Sequence, residues 1–166
     1  MLEKLCSTCN ICLHIDDTRR GPRLLQLQAN WKGEEPLILV IDEYPLFNPE
    51  EEFVDIAGLL DGIPFTYTSA VRCNAGEDLS EENGLYSINA CSVWTRQLLN
   101  DRKVIITTEF GLMQMGIKDK RVGDMFKTTK YGIVLVTPSI QDLLKPEFKS
   151  IYAPKIQRVL KEAGLL

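Results

Sequence analysis

At 166 residues, with 45% hydrophobic and 25% charged side chains, the chain has the composition of a globular domain and enough length to bury one core. A net charge of -4 and a pI near 5.1 speak against a protein that coats nucleic acid indiscriminately, although the positive charges fall into local groups: Arg19, Arg20 and Arg23; Lys118, Lys120 and Arg121; Lys127 and Lys130. No apolar run approaches the roughly 20 residues of a membrane span, and Glu3 and Lys4 stand where a secretory signal would be apolar, so the expectation is a cytoplasmic protein with no membrane partner.

In chain order, the first feature is the cysteine-rich opening MLEKLCSTCNICLH, with Cys6, Cys9 and Cys12; Cys73 and Cys91 follow far away. PLILVID (36–42) is a continuous apolar run bounded by Pro36 and charge, which reads as a fully buried strand. FTYTSAV (65–71), KVIITT (103–108) and GIVLVT (132–137) repeat the β-branched and aromatic pattern, giving four buried strands. Helical signatures lie between them, over roughly 49–60, over 85–99 with Leu85, Ile88, Val93, Leu98 and Leu99 near one face, and over about 110–116. A closing amphipathic helix opens at Pro154 and ends at Gly164.

Strands alternating with helices predict one α/β domain over 1–166, a three-layer α/β/α sandwich around a mostly parallel four-stranded sheet. Ligands of such sheets bind at the carboxyl ends of the strands. That directs attention to DEYPLFNPE after the first strand, RCNAGEDLSEENG after the second, with its solvated acidic patch at 77–83, and TPSIQDLLK after the fourth.

Five cysteines in a reducing compartment are poor disulfide material. The Cys-x2-Cys pair at Cys6 and Cys9 can present two thiolates to one ion or cluster, and Cys73 and Cys91 could complete four ligands; zinc and iron–sulfur clusters both accept such a set. Buried thiols acting as small hydrophobes are the other reading.

The order of these motifs resembles the family 4 uracil-DNA glycosylases, which carry a [4Fe–4S] cluster. Besides the opening cysteines, TSAVRC is similar to the family's Thr-Asn-Val-Val-Lys-Cys, and INACSVWTRQLL supplies a final cysteine. DEYPL (42–46) stands for Gly-Glu-Ala-Pro-Gly, FVDIAGLLDG (53–62) echoes Pro-Phe-Val-Gly-Arg-Ala-Gly-Gln-Leu-Leu-Asp, and TPS with LLK nearby stands for His-Pro-Ser before Leu-Leu-Arg. The resemblance covers residues 6–145. It implies a uracil-DNA glycosylase-like fold, a cluster on Cys6, Cys9, Cys73 and Cys91 with Cys12 as a possible substitute for Cys9, and Phe53 as the ring that stacks on a flipped base. It further implies Glu43 as the group orienting water, and DNA contacts from Arg72, Ser139 and Lys145, with Lys127 and Lys130 as second choices.

The departures bear on the chemistry of releasing a flipped base. Asp42 and Leu46 replace both glycines of the first motif, and Tyr44 stands where the superfamily places a small residue or a catalytic acid. Ser69 replaces the asparagine that reads the uracil edge, offering one hydroxyl for an amide. Thr137 replaces the histidine that stabilises the departing base, and the chain's one histidine, His14, lies in the cysteine-rich opening. The expectation is a cluster-bearing member impaired in catalysis, binding DNA or a protein of replication or repair, with Trp31, Phe47 and Tyr152 as aromatic contacts and a virus of bacteria or archaea as a fitting source. An active N-glycosylase of altered base preference and a zinc-binding interaction module are the alternatives.

Overall fold

The computed structural model describes the backbone of residues 2–6, 23–28, 34–72 and 81–166, with side chains from 34–72, 85 and 88–166. Strand order follows from where unbroken apolar runs can be hidden. β3 (Ile38–Asp42), β4 (Phe65–Ser69), β5 (Val104–Thr107) and β7 (Gly132–Val136) are the four strands expected from sequence, and they pair in parallel in the order β4-β3-β5-β7. Around them the sheet is larger than the four strands anticipated. β6 (Met125–Thr128) pairs antiparallel with β7, closing a five-stranded body, and β2 (Arg23–Gln28) and β1 (Leu2–Cys6) extend it antiparallel beyond β4. These additions escaped notice because each mixes polar with apolar residues, as in LEKLC, RLLQLQ and MFKT, and carries no long unbroken apolar run.

Successive residues of the central strands point to opposite faces, and each face has its own core. Ile38, Val40, Val104, Ile106, Ile133 and Leu135 share one cluster with α1 (Pro49–Leu59), α4 (Ile140–Leu143) and α5 (Pro146–Glu162). Leu39, Ile41, Ile105, Val134 and Val136 form the other, beneath α3 (Glu109–Met115) and Leu99 at the end of α2 (Glu81–Leu98). Helices on both faces of a mostly parallel sheet make the expected three layers.

Three helix boundaries differ from expectation. α2 starts at Glu81, inside the acidic patch read as loop, and its buried stripe is Ile88, Cys91, Thr95 and Leu99, while Leu85 and Val93 are exposed. A small thiol and a threonine in the stripe concealed it from a count of large apolar residues. α4 interrupts the loop after β7, capped by Ser139, whose hydroxyl accepts from Asp142 N at 3.3 Å. α5 begins at Pro146 rather than Pro154, so Pro154 sits inside it. An interior proline costs about 3 kcal/mol. Burial of Tyr152, Ile156, Val159 and Leu160, at roughly 1.5–3 kcal/mol each, outweighs it.

At the amino-terminal end of the sheet the buried Arg102 ties three segments together. Its guanidinium donates to the carbonyls of Leu98 (2.7 Å) and Pro36 and to Glu35 Oε2 (3.0 Å). Beside it the β6–β7 turn comes so close that a Cβ on Gly132 would lie 2.5 Å from the Lys103 carbonyl, and Gly132 has φ +79°. Gly132→Ala is therefore expected to lower stability by more than about 2 kcal/mol, read as a lower urea midpoint with an unchanged slope. A loss under about 0.5 kcal/mol, the scale of an ordinary surface substitution, would show that the turn relaxes freely.

Candidate functional site

The four parallel strands end side by side, and their pairing runs on into the loops. Ala70 N donates to Asp42 O (2.8 Å), Val71 N to Glu43 O (3.0 Å), Thr108 N to Ile41 O (3.0 Å) and Thr137 N to Thr107 O (2.8 Å). This rim gathers Asp42, Glu43, Tyr44, Ser69, Thr137 and Ser139 from segments almost 100 residues apart.

Asp42 organises it. The carboxylate is 4% exposed; Oδ1 accepts from Glu43 N (2.8 Å) and from Ile140 N (3.0 Å), the first residue of α4, while Oδ2 lies 3.2 Å from Tyr67 Oη. Tyr67 Oη is also 3.0 Å from the Tyr44 carbonyl. A phenol has one proton, so it serves the two acceptors in turn unless Asp42 itself is protonated. A protonated Oδ2 donates to Tyr67 Oη, which then donates to Tyr44 O, and every group is satisfied. Burial accordingly pushes Asp42 up to about 6, against the opposing pull of the two N–H donors.

Glu43, half-buried beside it, is also raised, first by burial and then by the negative charges of Asp142 and Glu109. Tyr44 meets Phe110 edge to face, with centroids 5.8 Å apart. Glu43 is thus a rim carboxylate that solvent reaches.

The other residues singled out from sequence fall into two sets. Ser69 is buried and its hydroxyl donates to Val71 O at 2.8 Å, leaving lone pairs but no proton for a ligand. Thr137 is buried. Phe53 is 7% exposed, its ring stacked at 4.5 Å on Phe65 within the α1 core, so in this arrangement neither face is open to a base. Arg72, at 4% exposure, is likewise withdrawn from any polymer tracking the surface. Tyr152 is a core residue of α5 and not an exposed contact, whereas Phe47 is 81% exposed. Ser139 is half-buried as the α4 cap, and Lys145 is exposed, paired with Asp142 at 2.5 Å. Asp42, expected only as an obstruction, is the hub. Its signal in the sequence was an ionisable residue closing a strand buried on both faces.

Of the cysteines, Cys9, Cys12 and Cys73 lie outside the described residues, as do His14 and Trp31. Cys91 is buried on α2, and Cys6 ends β1. Gln114 draws this region together: Nε2 donates to Ala70 O (2.8 Å) and Ile88 O (2.7 Å), and Oε1 accepts from Thr95 Oγ1 at 2.6 Å. The α2 turn leading to Cys91 is thereby held against the end of β4, from which the chain continues to Cys73. β1 runs parallel to β4 across β2, which brings Cys6 to the same end of the sheet. Among the described residues no group of three or more His, Cys, Asp or Glu is placed to hold a metal ion.

No family model matches the chain, and no curated protein matches it. No described helix is long and apolar enough to cross a membrane.

Because Asp42 holds its proton more tightly folded (about 6) than in a solvated chain (3.8), it favours folding most at low pH. That contribution is lost as pH rises from about 4 through 6. Above this range the buried anion costs about 3 kcal/mol relative to a solvated one. An asparagine in its place would present the same acceptor to Ile140 and Glu43 and a permanent donor to Tyr67. Asp42→Asn is therefore expected to be stabler than the parent by about 2–3 kcal/mol at pH 7 and to lose most of the decline between about pH 4.5 and 7, measured as urea midpoints; parallel pH profiles would refute it. Gln114→Leu, which strips the amide from the buried Ala70 carbonyl and the Thr95 hydroxyl and removes a second donor from the Ile88 carbonyl, is expected to cost about 2–4 kcal/mol in the same measurement, and a neutral result would mean that water or relaxation replaces the amide.

Proposed function

We propose that the chain is a divergent uracil-DNA glycosylase-like scaffold that has given up base release and acts as a DNA-binding or protein-contacting subunit in replication or repair. One observation carries this reading: the side chains standing where such chemistry would read, stack and expel a base are turned inward and buried within the protein. Ser69 spends its proton on Val71 O, Phe53 packs on Phe65, and Thr137 is buried where a charge-stabilising group is wanted. Base release requires donors aimed at the developing negative charge. The buried Asp42 carboxyl at the same rim would oppose that charge whenever it is ionised.

Cys6, Cys9, Cys73 and Cys91 are the residues that would hold a [4Fe–4S] cluster, with zinc the alternative for the same thiolates. Bound there, it would serve as a staple between the amino-terminal segment, the end of β4 and α2, supplying folding free energy as metal sites do. Lys145 and Ser139, in the loop after β7, are the rim residues best presented to DNA.

A second reading, an active N-glycosylase of altered base preference, draws on Glu43, which is partly exposed and raised in pKa and so suited to orient water.

Anaerobic purification with iron and sulfide analysis, followed by uracil release from single-stranded DNA on the same sample, separates the readings. Brown protein with about four irons per chain and no release is expected. Release that is lost in Glu43→Gln would establish the enzyme instead, and colourless protein containing zinc would remove the glycosylase-like assignment.

A further inference from the structure

We propose that the β6 edge of the sheet carries a binding surface for the phosphate backbone of nucleic acid, centred on Lys120 and Lys130 and separate from the rim. The charges of this acidic chain are segregated. Residues 33–71 hold nine Asp or Glu and no Lys, Arg or His, whereas 118–130 hold Lys118, Lys120, Arg121, Lys127 and Lys130 against Asp119 and Asp124. The acidic block supplies β3, α1 and β4, and the basic one lies at the far side of the five-stranded body. An anionic polymer is steered by such a field toward one edge of a molecule that repels it elsewhere.

The basic side chains are also held in place. Lys120 Nζ lies 4.9 Å from the centroid of Phe126 and Lys130 Nζ 4.9 Å from that of Tyr131. Both rings pack against the Leu39/Ile41 core, so both ammonium groups emerge on the same face of the sheet. A ring beneath a lysine restrains its long stem while leaving N–H donors to solvent, which reduces the ordering cost when a phosphate arrives. Among the described residues, none of the five cations has a carboxylate within 4 Å. The Asp124 carboxylate is instead engaged by the backbone N–H of Arg121 at 2.9 Å.

The turn between β6 and β7 is fixed by Thr128 Oγ1, which accepts from Tyr131 N at 2.7 Å and donates to Gly132 O at 3.2 Å, so Lys130 and Tyr131 project from a defined corner. Among the described residues β6 has a strand neighbour on one side only, which leaves its other edge and the exposed Lys127 open to a polymer. An anionic membrane is disfavoured as the partner: the two aromatic rings are anchored in the core and cannot insert, and Val122 is the large exposed hydrophobic residue of this stretch.

The test uses the full chain and fluorescence anisotropy with a labelled oligothymidylate, a labelled duplex and, by co-sedimentation, vesicles containing phosphatidylserine. Binding to both nucleic acids at low salt is expected. Lys120→Glu with Lys130→Glu should weaken it at least roughly tenfold and make the log–log salt dependence on the single strand shallower by about 1.4, whereas Lys145→Glu at the rim should cause a smaller loss. The neutral pair Lys120→Gln with Lys130→Gln should fall between, with circular dichroism confirming the fold of each variant. No oligonucleotide binding by the parent protein, unchanged binding by the double variants, or capture by vesicles alone would each overturn the proposal. None of these outcomes depends on the iron content or base-release activity that tests the glycosylase-like reading.

Discussion

β3 is buried on both faces from Ile38 to Asp42, and the rest of the architecture follows from that enclosure. A strand with parallel partners on each side must have its two rows of side chains covered by separate layers. Ile38 and Val40 call for α1, α4 and α5, while Leu39 and Ile41 call for α3 and the end of α2. The same enclosure decides the chemistry at the strand's end. Asp42 is the residue at which an apolar strand becomes a loop, and it is still inside when its side chain must be satisfied. It recruits the backbone N–H of Glu43, that of Ile140 and the phenol of Tyr67, and so joins the loop after β3 to the helix after β7.

That junction changes the character of the rim. Asp42 and Leu46, in the segment after β3, turn into the protein. The hydrogen-bonding capacity of Ser69, Tyr67 and Asp42 is directed at the protein itself, as in a polar network that specifies structure. Gln114 does the same on the other face, using both amide hydrogens and its carbonyl to bind α2 and α3 to the end of β4. Two internal networks therefore converge on the end of the sheet where a ligand would be expected, and the side chains left facing outward are chiefly charged: Glu43, Asp142 and Lys145.

Charge is unevenly divided across the sheet. Acids are concentrated over β3, α1 and β4 and bases over the β6 edge. Arg102, by contrast, is a cation consumed by structure: burial lowers its pKa, but three carbonyl or carboxylate partners hold it at the amino-terminal end of the sheet. Nothing in its local sequence marks it out from the other basic residues, because burial of an arginine is decided by what the folded chain brings to it.

Three central strands and the layered class were legible in the sequence because strands covered on both sides tend to be continuously apolar, as ILV, VII and IVLV are, while β4, buried throughout as FTYTS, was legible from its β-branched and aromatic residues. The edge strands were not, because half-exposed segments such as MFKT carry no unbroken run. The face of α2 was found only in part: Ile88, Leu98 and Leu99 meet the core as expected, Leu85 and Val93 do not, and Thr95 is buried with its bond to Gln114, a partner 19 residues away that no local period reveals. Pro154 suggested a helix start by its own backbone preference, and tertiary burial of Tyr152 and Ile156 overrode it. The candidate residues at the strand ends could be located from sequence because loops follow strands, so the local pattern was enough to say which positions reach the rim. Whether each side chain there faces solvent or the core is a property of the assembled sheet: Asp42 and Phe53 turn inward because the groups that receive them, the Ile140 N–H and the Phe65 ring, belong to other elements brought alongside only by folding, whereas Ser69 turns back on the Val71 carbonyl two residues along its own segment.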